Sequence, residues 1–347
     1  MPETSRTTRR LSSLLDMGFQ RATPAAPTTV DIPVGLRNRK VIATRGAMGT
    51  RVTVTALVPS RDRADEAIGR AFEEMDRLVG IFSRYEPGSA VTQLNEAGRL
   101  EGAPPEFTHV VSRSLQYHTL SHGGFDLSVA PLVDLFQGPT SGSLPARSDI
   151  DAALELVGAG EIEVLRRRIG FRRSGMRITL DGIAKGYIVD AVAAMLERHR
   201  IRNYLVDAGG DIRASGTKEG KQPWSIAVQD PAKGGRYPDT IHLRRGAVAT
   251  SGSYERFLDR DRLFHHIVDA GSGTSPRHSS SVSVVAPNAM AADALATAVF
   301  LMEPRHGVKF IAGLRGCECL IIDRDGRQLR SQGWTSAGPV HGAEAEA

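Results

Sequence analysis

"NYLVDAGGDIRASGTKEGKQPWSIAV", residues 203–228, holds two strand-like runs, Asn203–Asp207 and Trp224–Val228, joined by a glycine-bearing connection without helical period. Runs of the same kind follow at Ile241–Ala249, Leu263–Val268 and Ser281–Ala286. A doubly wound parallel sheet places a helix between consecutive strands, and these strands come in succession without one. The pattern therefore favours an α+β architecture, a mixed and largely antiparallel sheet with packed helices.

Upstream, "RVTVTALV" (51–58) alternates Val52, Val54, Ala56 and Val58 with other side chains and reads as a strand. A helix follows, with Ile68, Phe72, Met75, Val79 and Phe82 on one face. Residues 107–122 read as a second helix, and a third starts near Asp181 or Gly182, turning Ile188, Val192, Met195 and Leu196 inward. Downstream, the alanine-rich stretch Asn288–Met302 is helical, and Glu318–Asp323 is a last strand before the Asp325-Gly326 turn. Residues 1–38 and 336–347 lack a sustained period and read as flexible tails around one domain, 39–335.

With 41% apolar and 24% charged residues, the 347-residue chain has the composition of a soluble globular protein. Its formal charge of +5 is dispersed, and the 5% aromatic content offers little for base stacking, so a nucleic-acid partner is disfavoured. Cys317 and Cys319 sit one residue apart in an apolar run, too close for a good disulfide and too few for a metal site. No run of 18 apolar residues offers a membrane span. Arg9 and Arg10 are followed by a stretch that Asp16, Gln20 and Arg21 interrupt, unlike an export signal, and the expected location is cytoplasmic.

Four segments carry chemistry. In "NAMAADALATAVF" (288–300), Asp293 and Thr297 are four apart, so both oxygens project from one helix face. A carboxylate with a hydroxyl is hard-oxygen chemistry, suited to magnesium. Such pairs usually mark a solvated face, but here the neighbours are alanines, leucine and valine, and a buried Asp needs a partner. In "ITLDGIAKGYIVD" (178–190), small residues at Gly182 and Ala184 permit close approach at a strand-to-helix junction. The free N–H groups of a first helical turn are natural phosphate contacts, with Lys185 and Thr179 beside them; the segment also fits a plain strand–turn–helix connection. In "LVDAGGDIRASG" (205–216), Gly209 and Gly210 lie between two acidic residues and do not match the dinucleotide fingerprint. Finally, "ATSGS" (249–253) is a small polar turn, and His266 ends a strand-like run, where it serves either as a general base or as a hydrogen-bonded structural histidine.

Together these segments resemble the FAD:protein FMN transferase family, also called the ApbE family, over residues 45–330. In family order come "MGT" (48–50), "FSRYEPGSAVTQLN", "GGFDLSVAPLV", "LDGIAKGYIVD", "DAGGDIRASG", "ATSGSYERF", "HHIVDAGSG" and "ADALAT". The resemblance implies an ApbE-like (T-fold-like) fold. It also implies that Met48, Tyr85, Gly124, Phe125, Asp126, Thr179, Lys185 and Ile267 line the flavin nucleotide. Gly182, through its carbonyl, Asp293 and Thr297 fall on magnesium-ligand positions, and His266 on a candidate base. Departures include Ala296 where some members carry a second carboxylate, Lys185 or Gly182 where others have acidic or hydroxyl residues, and Ala270 where a proline is usual. Members are often exported lipoproteins. The implied reaction is Mg²⁺-dependent transfer of FMN from FAD to a threonine or serine of a target flavoprotein, releasing AMP. The alternatives are an FAD pyrophosphatase giving FMN and AMP, and a non-catalytic FAD-binding protein.

Overall fold

The computed structural model describes residues 27–137, 145–232, 236–253 and 265–341. A nine-stranded sheet organises them: Thr28–Val34 (β1), Asn38–Ala47 (β2), Thr50–Val58 (β3), Tyr204–Ala208 (β4), Ile212–Ser215 (β5), Arg245–Gly252 (β6), Ser279–Ala286 (β7), Glu318–Asp323 (β8) and Gln328–Arg330 (β9). Their order in the sheet is their order in the chain, and each neighbouring pair is antiparallel. The expected class is what forms, with long excursions leaving the meander rather than crossing it.

The largest excursion, between β3 and β4, holds helices Arg61–Phe82 (α1), Ala90–Ala97 (α2), Pro105–Leu120 (α3), Ala130–Gln137 (α4), Arg147–Leu154 (α5) and Ala184–Arg198 (α6). Ile68, Phe72, Met75, Val79 and Phe82 of α1 are all buried, as their spacing requires. Between β7 and β8 come Ala289–Phe300 (α7) and Pro304–Ala312 (α8). Helix α7 packs on β6 and β7, α6 packs between α1 and α7, and one large apolar cluster fills the space between helices and sheet. The other sheet face is covered near β5, β6 and β8 by a two-stranded ribbon, Trp224–Val228 with Asp239–Leu243, and by Trp334. Among the described residues no helix is long and apolar enough to cross a membrane.

Several local expectations are corrected. The single run Ile241–Ala249 divides between the ribbon and β6, two different sheets. Residues 263–264 lie outside the described residues, and His265–Val268 form no strand; the chain bends at His266. There Ser275 satisfies both the N–H and the carbonyl of His265 through its hydroxyl, and such local bonds compete with a sheet ladder. At the ends, residues 28–34 form an edge strand on β2 rather than a tail. Likewise Ser336 and Ala337 bond to Asp239 and Thr240, and Val340–His341 pairs with Arg236–Tyr237. The remaining parts of the expected tails, 1–26 and 342–347, lie outside the described residues.

Candidate active site

One cavity opens where two hairpin turns of the sheet meet the N-terminal end of α6 and the middle of α7. Its wall includes every residue that the family resemblance carried to a flavin, metal or base position: Met48, Tyr85, Gly124, Phe125, Asp126, Thr179, Gly182, Lys185, His266, Ile267, Asp293 and Thr297.

The first turn joins β2 to β3. Ala47 pairs with Thr50, leaving a two-residue loop in which Met48 (φ 53°) and Gly49 (φ 70°) are both left-handed. For methionine this conformation costs roughly 1–2 kcal/mol. Strain retained on a cavity wall is typical of segments held for function. The second turn joins β4 to β5 through Gly209 (φ 66°) and Gly210 (φ 98°). A Cβ on Gly209 would lie 2.2 Å from Thr50 Oγ1, so the two turns stack only because that side chain is absent. This places Asp211, 2% exposed, at the cavity, with its Oδ2 3.2 Å from Lys185 Nζ.

The helix pair supplies the other wall. Asp190 of α6 accepts the N–H groups of Ala289 and Met290, at 2.9 Å each, and the Asn288 side chain accepts that of Ala291, so the start of α7 is satisfied. At Gly186 a Cβ would lie 2.3 Å from the Ala289 carbonyl oxygen; glycine there lets the helices touch. The Gly186 N–H consequently donates to Asp293 Oδ2 at 2.9 Å. Asp293 is buried, and its carboxyl is pushed well above the ordinary range, first by burial and then by the Asp211 carboxylate; Lys185 and the Gly186 N–H pull the other way, while Asp181 adds to the rise. One turn on, Thr297 Oγ1 is 3.4 Å from Ser251 Oγ and 3.1 Å from where a Gly182 Cβ would stand. The three residues carried over as metal ligands therefore come together. Among the described residues no three His, Cys, Asp or Glu side chains gather as a metal site. An ion here would thus rest on one carboxylate plus hydroxyl and carbonyl oxygens, a hard donor set.

On the expected flavin side, Phe125 and Ile267 are buried and Tyr85 is half-buried, with the Arg84 guanidinium 5.5 Å from its ring centre. A Cβ on Gly124 would meet the Ser121 carbonyl at 3.2 Å and the Met302 methyl at 3.3 Å, a tight fit that a shift of a few tenths of an ångström would relieve. Asp126 differs from a free ligand group. Its carboxylate accepts the Ser128 N–H (2.7 Å) and hydroxyl (2.5 Å) and the Ala159 N–H (3.4 Å), and lies 3.3 Å from His118 Nδ1, so much of its capacity holds the wall together. Of the two adjacent histidines, His265 is locked by Pro276 and stacked edge-on to Phe300, with burial lowering its basicity. His266 is half-buried and faces the cavity.

Sequence reasoning passed over Asp211, Asp181, Thr250 and the Thr50 contact. Its one signal for Asp211 was the acidic residue directly after a glycine pair, which marks a turn but not which way the next side chain points.

Residues 48–321 match the ApbE family. The FAD:protein FMN transferase of Treponema pallidum (strain Nichols) is 30% identical over 308 residues, spanning 82% of this chain and 84% of that protein. The FAD:protein FMN transferase of Escherichia coli (strain K12) is 26% identical over 295 residues, 81% and 83% of the two chains. Among solved structures, the apbe protein from Thermotoga maritima superposes with a TM-score of 0.77 at 32% identity, covering 84% of this chain and 97% of that one. For the flavin transferase ApbE from Vibrio cholerae the TM-score is 0.73 at 25% identity, with 86% and 98% covered. Matched over most of its length in both sequence and backbone, the chain belongs to the ApbE family.

Proposed function

We propose that the chain transfers FMN from FAD to a threonine or serine hydroxyl of a target flavoprotein, releasing AMP, with Mg²⁺ held at Asp293, Thr297 and the Gly182 carbonyl. The observation that carries this reading is the meeting of Asp293, Thr297, Gly182 and Lys185 on one cavity, in a chain whose relatives are named FAD:protein FMN transferases. The donor set fits the ion: a buried carboxyl beside two further carboxylates calls for a counter-charge, and the oxygens offered are hard. When bound, Mg²⁺ supplies neutralisation of the diphosphate charge.

The protein's own groups do the rest. Met48, Tyr85, Phe125 and Ile267 present an apolar wall to a flavin ring, and Lys185 in the first turn of α6 faces the diphosphate; the N–H groups of Ala184, Gly186 and Tyr187 in that turn are taken by Leu180, Asp293 and Ile183. The acceptor hydroxyl oxygen attacks the phosphorus on the FMN side. The bond from that phosphorus to the bridging oxygen breaks, and AMP departs with that oxygen. His266 takes the hydroxyl proton. Water in place of the hydroxyl gives FMN and AMP by the same displacement.

Purified protein, FAD, Mg²⁺ and a candidate acceptor flavoprotein are expected to yield AMP and one FMN added to the acceptor by mass spectrometry. Asp293→Ala is expected to lower both by about a hundredfold or more, because a metal-ligand contribution is worth several kcal/mol. Undiminished AMP release in that variant sinks the metal assignment. AMP release that ignores the acceptor reassigns the chain as a pyrophosphatase, and stoichiometric FAD binding with no AMP makes it a carrier.

A further inference from the structure

The cavity wall is mostly acidic where a diphosphate would sit. Asp181, Asp211 and Asp293 all line the cavity, and among the described residues on the wall Lys185 is the only lysine or arginine. A buried carboxylate paired with a lysine is a poor way to gain stability, since desolvation offsets the attraction. The pair formed by Lys185 and the 2%-exposed Asp211 therefore asks for another explanation.

Its geometry gives one. The backbone of Lys185 is fixed by the α6–α7 contact one residue on, where Gly186 touches Ala289 and donates to Asp293. The far end of its side chain, 24% exposed, is fixed from the opposite wall by Asp211, which the Gly209–Gly210 turn delivers from the sheet. A four-carbon stem that would otherwise sample many rotamers is held at both ends. We infer that Asp211 is a positioning residue, holding the Lys185 ammonium in the cavity to meet the diphosphate of the dinucleotide substrate. This rests on the FAD reading above and adds to it a residue that reaches the substrate through its lysine.

The test is a double-mutant cycle on FAD affinity, read by flavin fluorescence with divalent ions chelated and again with Mg²⁺. Asp211→Ala and Lys185→Met are each expected to weaken binding about tenfold, the loss of one charge-assisted hydrogen bond. The double variant is expected to be no weaker than the weaker single, because the two act as one unit. Three results overturn the inference: Asp211→Ala binding FAD more tightly, as simple relief of anion repulsion would give; affinity unchanged while the melting temperature falls, as a scaffold role would give; or an Asp211→Ala effect that persists in the Lys185→Met background. Should Asp211→Ala fail to fold, Asp211→Asn keeps the side-chain shape and runs the same cycle, with a smaller loss expected. Wild-type protein that binds FAD but releases no AMP refutes the transfer reading while the cycle still decides this one; wild-type protein that does not bind FAD refutes both.

Discussion

At position 186 the side chain is a single hydrogen, and the site depends on it. A Cβ there would meet backbone, 2.3 Å from the Ala289 oxygen and 2.7 Å from its carbonyl carbon, so α6 and α7 would have to part. Gly186→Ala is expected to destabilise the fold by about 1–3 kcal/mol, the usual cost of overpacking, and to weaken FAD turnover because Asp293 loses its N–H partner. Gly69 is the control: it lies on the exposed side of α1 with no atom within 4 Å of an added Cβ. Gly69→Ala is expected to stabilise by roughly 0.5–1 kcal/mol, since alanine suits a helix interior better than glycine. Denaturant midpoints decide both, and a Gly186→Ala midpoint equal to wild type contradicts the helix contact. Asp293 was legible in the sequence because a carboxylate ringed by alanines is conspicuous. Gly186 and Asp211 were not, because helical spacing and turn glycines identify a face without saying what packs opposite.

Single elements were readable in proportion to their length and regularity. α1 shows many turns of consistent spacing, α7 is rich in alanine, and β8 is bounded by a clear turn; all three form where the sequence puts them. α2 has eight residues, of which three are buried, and too few turns to stand out; its Ser89 cap and left-handed Gly98 define it only once seen together. The C-terminal segment read as a tail because its partners are tertiary. Asp239, fully buried, receives the Trp334 indole N–H (2.9 Å), the Ser336 hydroxyl (2.6 Å), the Thr240 N–H (2.7 Å) and Arg330 (3.1 Å). Burial alone would raise its carboxyl, but the bonds from Ser336, Trp334 and Thr240, with the Arg330 charge, outweigh it and hold the group below the ordinary carboxylate range. A carboxyl lowered on folding contributes stability above its unfolded value and loses it as pH falls through the folded one. Acidification from neutral to below that ordinary range is therefore expected to release the segment and shift Trp334 fluorescence, best seen in a Trp224→Phe background. Asp239→Asn is expected to show the released signal already at neutral pH. An unchanged spectrum down to the onset of global unfolding contradicts the clasp.

Taken whole, the molecule builds its cavity from residues spread between 48 and 301, so no short segment contains it. Sheet turns, the α6–α7 pair and the loop after His265 meet there, and one apolar cluster beneath draws on β2, β3, β4, β6, β7 and β8 together. A ligand bound at such a place is stabilised only when the helical excursion and the meander are both folded, so binding and global stability are linked. FAD at a hundred times its dissociation constant, with Mg²⁺, is expected to add about 2.7 kcal/mol. For a chain of 347 residues that corresponds to a rise in melting temperature of roughly 4 °C, in one transition by calorimetry. The same concentration with Asp293→Ala is expected to give a smaller rise, because the metal-assisted part of the binding is gone. Two separate transitions of which only one moves with FAD would mean that the excursion melts independently of the sheet, and that the cavity belongs to one layer rather than to the junction of both.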